Sequence, residues 1–175
     1  MKTLVLIRHA KSSWKFPELK DVERPLKKRG LKEAPLMGNV LKDLPITPDC
    51  ILSSPAVRAL TTAQLIAGEY GMDASKVMTL PGLYMEPASK LLEAIHTIGN
   101  EYNVVFFVGH NPGLHDLAVS LSGENIENLP TGGAFGLEFH CDTWEEAGRE
   151  NAKKIFFEFP KKHRKDKELV TKTVE

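Results

Sequence analysis

Two uninterrupted apolar runs of strand length, Leu4-Val5-Leu6-Ile7 and Val104-Val105-Phe106-Phe107-Val108, restrict the fold of this chain more than any other feature. A strand with one wet face alternates apolar and polar residues, whereas a continuous run has to be covered on both faces, as in a parallel sheet between helices. The segments between the runs supply those helices. A polar stretch broken by Pro17 and Pro25 leads into a helix from about Leu31 to Leu44, with Pro35 read as early enough for its missing N–H to matter little. Cys50 to Ser53 reads as a second strand, followed by a helix to about Tyr70 that Ser54 caps and in which Pro55 takes the first position. A weaker strand falls near Val77 to Leu80, and a helix from about Pro87 to Ile98 carries Leu91, Leu92, Ile95 and Ile98 at helical spacing. One more helix spans about Leu114 to Leu121. Two late β segments, near Ala134 to His140 and Lys154 to Phe159, have no helix-sized insert between them and read as an antiparallel pair. The expected class is therefore α/β: a three-layer α/β/α sandwich with a mostly parallel central sheet.

At 175 residues the chain fits one domain, which we place at 1–160, with a charged C-terminal tail at 161–175 rich in Lys161, Lys162, Arg164, Lys165 and Lys167. The 23 basic and 23 acidic residues cancel, so no global field would hold the chain on nucleic acid or an anionic membrane, and any anion site has to be local. Cys50 and Cys141 lie far apart without a metal-ligand spacing, which gives no basis for a zinc site or a disulfide framework. The first apolar run stops at Arg8-His9, too short for the core of a secretory signal, and no apolar run reaches the length of a membrane span. The expected location is the cytoplasm, and neither a metal nor another cofactor is called for.

In open α/β sheets, ligands bind beyond the carboxyl ends of the strands. Three such ends carry chemistry here: the first strand delivers Arg8-His9, the second leads through Ser53-Ser54-Pro55 to Arg58, and the strongest ends in Gly109-His110-Asn111-Pro112-Gly113. Guanidinium groups match phosphate oxygens with a rigid fork of donors, and a neutral imidazole is a competent nucleophile. This set suits phosphoryl transfer, in which catalysis rests on positioning and on stabilising charge spread over the equatorial oxygens; Arg8, Arg58 and a protonated His110 would supply that.

The blocks Leu6-Ile7-Arg8-His9-Ala10, Ser53-Ser54-Pro55-Ala56-Val57-Arg58-Ala59-Leu60-Thr61-Thr62-Ala63 and Gly109-His110-Asn111-Pro112-Gly113 resemble the three signature blocks of the histidine phosphatase (phosphoglycerate mutase-like) superfamily. Asp21-Val22-Glu23-Arg24-Pro25-Leu26, followed by Arg29-Gly30, resembles a further block of its short branch, typified by the phosphohistidine phosphatase SixA. The resemblance implies that His9 is the nucleophile and is transiently phosphorylated, with Arg8, Arg58 and His110 holding the phosphoryl oxygens. Arg24 by the same carry-over lines the pocket; the alternative is a loop arginine paired with Asp21 or Glu23. Asp21 is expected to orient its neighbours or form the pocket edge. One departure is Ala10, where the superfamily carries glycine, which puts a methyl where the backbone nears the pocket. The other concerns the acid: only Glu86, in Leu83-Tyr84-Met85-Glu86-Pro87, lies where a proton donor is expected, and it reads equally as a residue favoured by the start of a helix.

A weak proton donor bears on the substrate. An alkoxide needs a proton as the P–O bond breaks, whereas a protonated phosphoimidazole leaves as neutral imidazole, with a conjugate acid near pKa ~6.5. The expected activity is thus hydrolysis of phosphohistidine on a protein partner. The alternatives are a phosphatase or mutase for a small phosphate ester, with Glu86 as acid and base, and a noncatalytic phosphate-binding module. A metal site built from His9, His110 and His115 fits no ligand spacing.

Overall fold

The computed structural model describes residues 1–164. Its centre is a six-stranded sheet formed by β1 (Lys2–Arg8), β2 (Cys50–Ser53), β3 (Met78–Thr79), β4 (Val104–Gly109), β5 (Ala134–Phe139) and β6 (Ala152–Glu158). The spatial order is β3-β2-β4-β1-β5-β6. The first four run parallel, while β5 is antiparallel to β1 and β6 to β5. The two apolar runs lie side by side, with Leu4 opposite Val105 and Ile7 opposite Val108.

The central stretches Leu4–Ile7 of β1 and Val104–Val108 of β4 are apolar without interruption because the sheet is covered twice. Val5 and Ile7 pack with Ile51, Phe106 and Val108 against α1 (Lys28–Asp43) and α2 (Val57–Glu69). Leu4 and Leu6 point the other way, joining Leu52, Phe107 and Phe135 against α3 (Ala88–His96) and α4 (Gly113–Ser122). This is the expected three-layer sandwich. Successive side chains on one strand feed opposite cores, so a polar residue at any of these positions would be buried whichever face it took. Among the described residues, no helix is long and apolar enough to cross a membrane.

Element boundaries differ from expectation in two instructive places. The second helix starts at Val57 with Ala56 at its N-cap; Pro55 lies outside it, and the Ser54 hydroxyl, instead of capping the helix, accepts from the Ala56 N–H at 3.2 Å and meets His110 Nε2. The first helix starts three residues earlier than expected, at Lys28, so Pro35 lies inside it instead of near its first turn. The i−4 carbonyl that Pro35 cannot serve belongs to Leu31, an exposed residue whose backbone water can reach. The tail expected over 161–175 lies outside the described residues from 165 onward; residues 160–164 form a helical turn.

Helix α1 approaches the main chain just past His9. A Cβ on Gly30 would stand 2.3 Å from the Lys11 carbonyl oxygen and 3.0 Å from its nitrogen, so only hydrogen fits there. The same carbonyl accepts from the Lys27 N–H at 2.9 Å, tying the helix start to the segment after β1. Gly30→Ala should therefore cost about 1–3 kcal/mol of stability by overpacking, read from urea unfolding, and should also lower activity by shifting Lys11. Unchanged stability would mean that the helix can slide without disturbing its neighbour.

Candidate active site

Strands β1, β2 and β4 end on one side of the sheet, and the cleft above them has a volume of about 270 Å³. It is lined by Arg8, His9, Asp21, Arg24, Arg58 and His110, with Trp14 and Met85 among the other walls. Residues from six separate stretches of sequence are thus gathered in one place.

The end of β1 is fixed by the backbone on both sides. His9 N–H donates to the Gly109 carbonyl at 3.0 Å, while Gly132 N–H is shared between the carbonyls of Arg8 and His9. Gly132 adopts φ 73°, a left-handed conformation that glycine takes without strain. The His9 ring is buried, and its Nδ1 lies 2.7 Å from the Ala10 carbonyl. A carbonyl accepts only, so Nδ1 carries the proton and Nε2 keeps its lone pair. Burial pushes the His9 pKa down to about 4, partly offset by that hydrogen bond and reinforced by Arg58, Arg8 and Arg24. The ring is thus neutral at pH 7.

Ala10 lies outside the left-handed region, so its methyl group imposes no backbone strain, and its N–H donates to Thr62 Oγ1 at 3.0 Å. Thr62 in turn donates to the Arg58 carbonyl at 2.7 Å, so one hydroxyl links the residue after His9 to the helix that carries Arg58. Arg58 Nη1 donates to the Asp21 carbonyl at 2.7 Å, and Nη2 to its carboxylate at 2.9 Å. Arg24 reaches the same carboxylate at 3.1 Å, and also donates to Ser13 O and to Ser12 Oγ. Tyr84 O–H donates to it at 2.5 Å. The Tyr84 hydrogen bond, then Arg58 and Arg24, outweigh partial burial and hold Asp21 down at about 2, so it is a carboxylate throughout the neutral range. Both readings of Arg24 are therefore realised together: it pairs with Asp21 and it lines the cleft.

Arg8 is different. Its Nη1 donates to Leu129 O at 3.1 Å, its buried Nε has no partner, and among the described residues it makes no ion pair. Burial lowers its pKa, yet an arginine stays charged at neutral pH. A half-buried guanidinium with no carboxylate beside it calls for an anion.

His110 lies with its ring centroid 5.2 Å from that of His9, and its Nε2 is 2.8 Å from Ser54 Oγ. Its Nδ1 is buried without a partner. Burial, followed by His9 and Arg58, pushes its pKa down to about 3, which corrects the expectation of a protonated His110 in the unliganded cleft. Ser54 Oγ already accepts from the Ala56 N–H at 3.2 Å, which leaves its own hydrogen free for His110 Nε2; in that tautomer Nδ1 carries the one hydrogen that a neutral ring can offer an oxyanion.

Glu86 is the predicted residue that is not among the cleft-lining residues. Its carbonyl instead packs where a Cβ on Gly113 would stand, and the adjacent Met85 lines the cleft with φ 53°, a strained value for a side-chain-bearing residue. His115 also lies apart, with Nε2 2.5 Å from Ile126 O. Sequence reasoning missed Ser54, Thr62 and Tyr84. Only Ser54 had a signal, its place directly after a strand, and that was read as a helix cap.

Comparison with known proteins supplies a family for this chain. Residues 4–114 match the histidine phosphatase superfamily (branch 1), and the chain belongs to that family. A crystal structure from Agrobacterium tumefaciens described as a phosphohistidine phosphatase, SixA, superposes with a TM-score of 0.76 at 27% identity, covering 91% of this chain and 99% of that one. A chloroplastic protein of Arabidopsis thaliana is 33% identical over 154 residues, 83% of this chain and 70% of its own length. A 2,3-bisphosphoglycerate-dependent phosphoglycerate mutase of Chlamydia felis is 49% identical over 67 residues, 37% of this chain and 29% of the mutase. Family and fold together support a phosphatase.

The depressed histidine values have a definite sign. An unfolded histidine binds a proton below about pH 6.5 whereas the folded rings do not until about 4 and about 3, so stability falls as pH drops through 6.5 toward those values. An NMR titration of the unliganded protein should find His9 neutral down to pH 5. A midpoint at 6.5 or above would show that the ring is solvated and that the cationic wall does not act on it.

Proposed function

We propose that this protein is a phosphatase that works through a covalent phosphohistidine on His9, and that its substrate is phosphohistidine on another protein. In the first step the lone pair of His9 Nε2 attacks phosphorus in line with the leaving group; the new N–P bond forms as the old bond breaks, and its electron pair leaves with the departing imidazole. In the second step water attacks the same phosphorus, the N–P bond returns its electrons to Nε2, and the proton released from water passes through that nitrogen to solvent. Arg8, Arg58 and the Nδ1–H of His110 hold the equatorial oxygens, where charge gathers in the transition state. Asp21 acts as a positioning residue, and Arg24 secures it.

One observation carries the substrate reading. The carboxylate lining the cleft, Asp21, is bound to two guanidinium groups and a tyrosine and sits near pKa about 2, so it holds no proton to give at neutral pH. Glu86 is not in the lining. A leaving group that departs without help is the one such a cleft serves, and a protonated phosphoimidazole does so. The second reading, a small phosphate ester, is favoured by the matched mutase stretch. It requires Glu86 to reach the leaving oxygen.

Substrate comparison separates the two. A histidine-phosphorylated protein should be hydrolysed with a higher kcat/KM than sugar phosphates, and Glu86→Gln should slow a sugar phosphate more than phosphohistidine. Faster turnover of sugar phosphates, with loss in Glu86→Gln, would favour the ester reading.

His9→Ala should abolish turnover while leaving the fold intact, and rapid quench of the unaltered protein should trap acid-labile phosphate on His9. Turnover retained in His9→Ala would end the covalent mechanism. Arg58→Ala should lower kcat/KM by about two to three powers of ten, as expected for loss of a preorganised donor. Arg58→Lys should restore little, because an ammonium cannot keep both contacts to Asp21 and still face the phosphoryl group.

A further inference from the structure

The segment after β1 is the wall between two depressions. Ser12 and Trp14 face the catalytic cleft, while Ser13 and Lys15 face a second groove of about 480 Å³ on its other side. This alternation is that of extended chain, held by the Ser13 N–H to Pro25 O bond at 2.8 Å and a bridge between Ser12 and Leu26. The groove has an apolar floor that includes Leu26 and Phe16, the latter 45% exposed. Lys15, Lys27, Lys28 and Arg29 surround it, and no acidic residue is in its lining. Among the described residues, Lys15, Lys27 and Lys28 make no ion pair, and Arg29 is joined to Glu33 through Nε alone.

These cations stand where they weaken the fold. Lys27 is the N-cap of α1, its side chain makes no capping bond, and Lys28 and Arg29 open a first turn that contains no acid. The positive end of a helix favours acidic residues and disfavours three adjacent cations. An arrangement that costs stability beside an active site is expected where it serves binding. A molecule small enough to be consumed in the cleft would not extend across the wall; a protein segment would.

We infer that this groove docks an acidic segment of the phosphorylated protein, seated on Phe16 and Leu26 and bordered by Lys15, Lys27 and Lys28, while the neighbouring phosphohistidine enters the cleft. The inference rests on the phosphoprotein reading of the site. Its consequence is that this phosphatase selects partners by the charge beside the modified histidine as well as by the phosphoryl group.

The test uses two synthetic peptides with one central histidine, flanked by glutamates in one and glutamines in the other, and the Lys15→Glu/Lys27→Glu/Lys28→Glu variant of the whole chain. Calorimetry with the unphosphorylated peptides should show the glutamate peptide binding about tenfold more tightly at low ionic strength, an advantage lost at high salt and in the variant. The variant should melt no lower than the unaltered protein, since acids suit that helix start. With the phosphorylated peptides, kcat/KM should show the same preference, while turnover of phosphoramidate, too small to reach the groove, stays equal in both proteins. Equal binding of the two peptides would overturn the proposal, as would tighter binding of a single-stranded oligonucleotide than of the glutamate peptide. Failure to hydrolyse either phosphopeptide while p-nitrophenyl phosphate is turned over would instead refute the phosphohistidine reading, and peptide binding would still decide the groove.

Discussion

The carboxylate of Asp21 is what allows so much positive charge to share one cleft. Three guanidinium groups converge there in a chain whose formal charges cancel overall, and like charges brought together repel. Asp21 engages two of them and the Tyr84 hydroxyl, while its own main-chain carbonyl takes a further bond from Arg58. Because Asp21 sits in a single turn of 3-10 helix, Asp21–Glu23, within the long β1–α1 connection, that loop is pinned to α2 and to the segment before α3. Arg24 extends the same arrangement to Ser12, Ser13 and the Trp14 ring, whose centroid lies 3.2 Å from its guanidinium carbon. Arg8 is left outside this neutralising set, and the cleft keeps a net demand for an anion.

Much of this was legible in sequence because its signals are local. Continuous apolar runs mark doubly covered strands, and the residue after such a strand must emerge at the sheet's carboxyl edge; those two facts place Arg8, His9 and His110 together without any knowledge of topology. The family resemblance added Asp21 and Arg24, which no periodicity singles out. What escaped was every contact between side chains distant in sequence. Ser54 looked like a cap because a serine before proline at a strand end satisfies that pattern, yet its hydroxyl is 56 residues away in sequence from the imidazole it meets. Thr62 looked like an ordinary helix residue, and its hydroxyl ties the main chain just after His9 to the first turn of α2. Glu86 was chosen as the one acid in the stretch where a proton donor is expected. A reversal of the chain at Met85 decides which of two adjacent side chains faces the cleft, and charge carries no information about that.

The protonation of His110 was a different kind of miss. Sequence identifies a second imidazole near the phosphoryl site, but its charge depends on burial and on neighbouring cations, both properties of the packed molecule. The neutral form still suits an oxyanion, through one fixed N–H whose direction Ser54 sets.

The position of β1 between β4 and β5 has a further consequence for how this molecule can vary. Hydrogen bonds on both sides of its end make His9 part of the segment expected to open last, whereas the exposed rim of the cleft, Trp14 at 72% exposure and Met85 at 52%, lies on connecting segments outside the sheet. The proposed nucleophile and the rim of its cleft thus occupy different tiers of stability. A lineage can rewrite the second, residue by residue, without ever loosening the first.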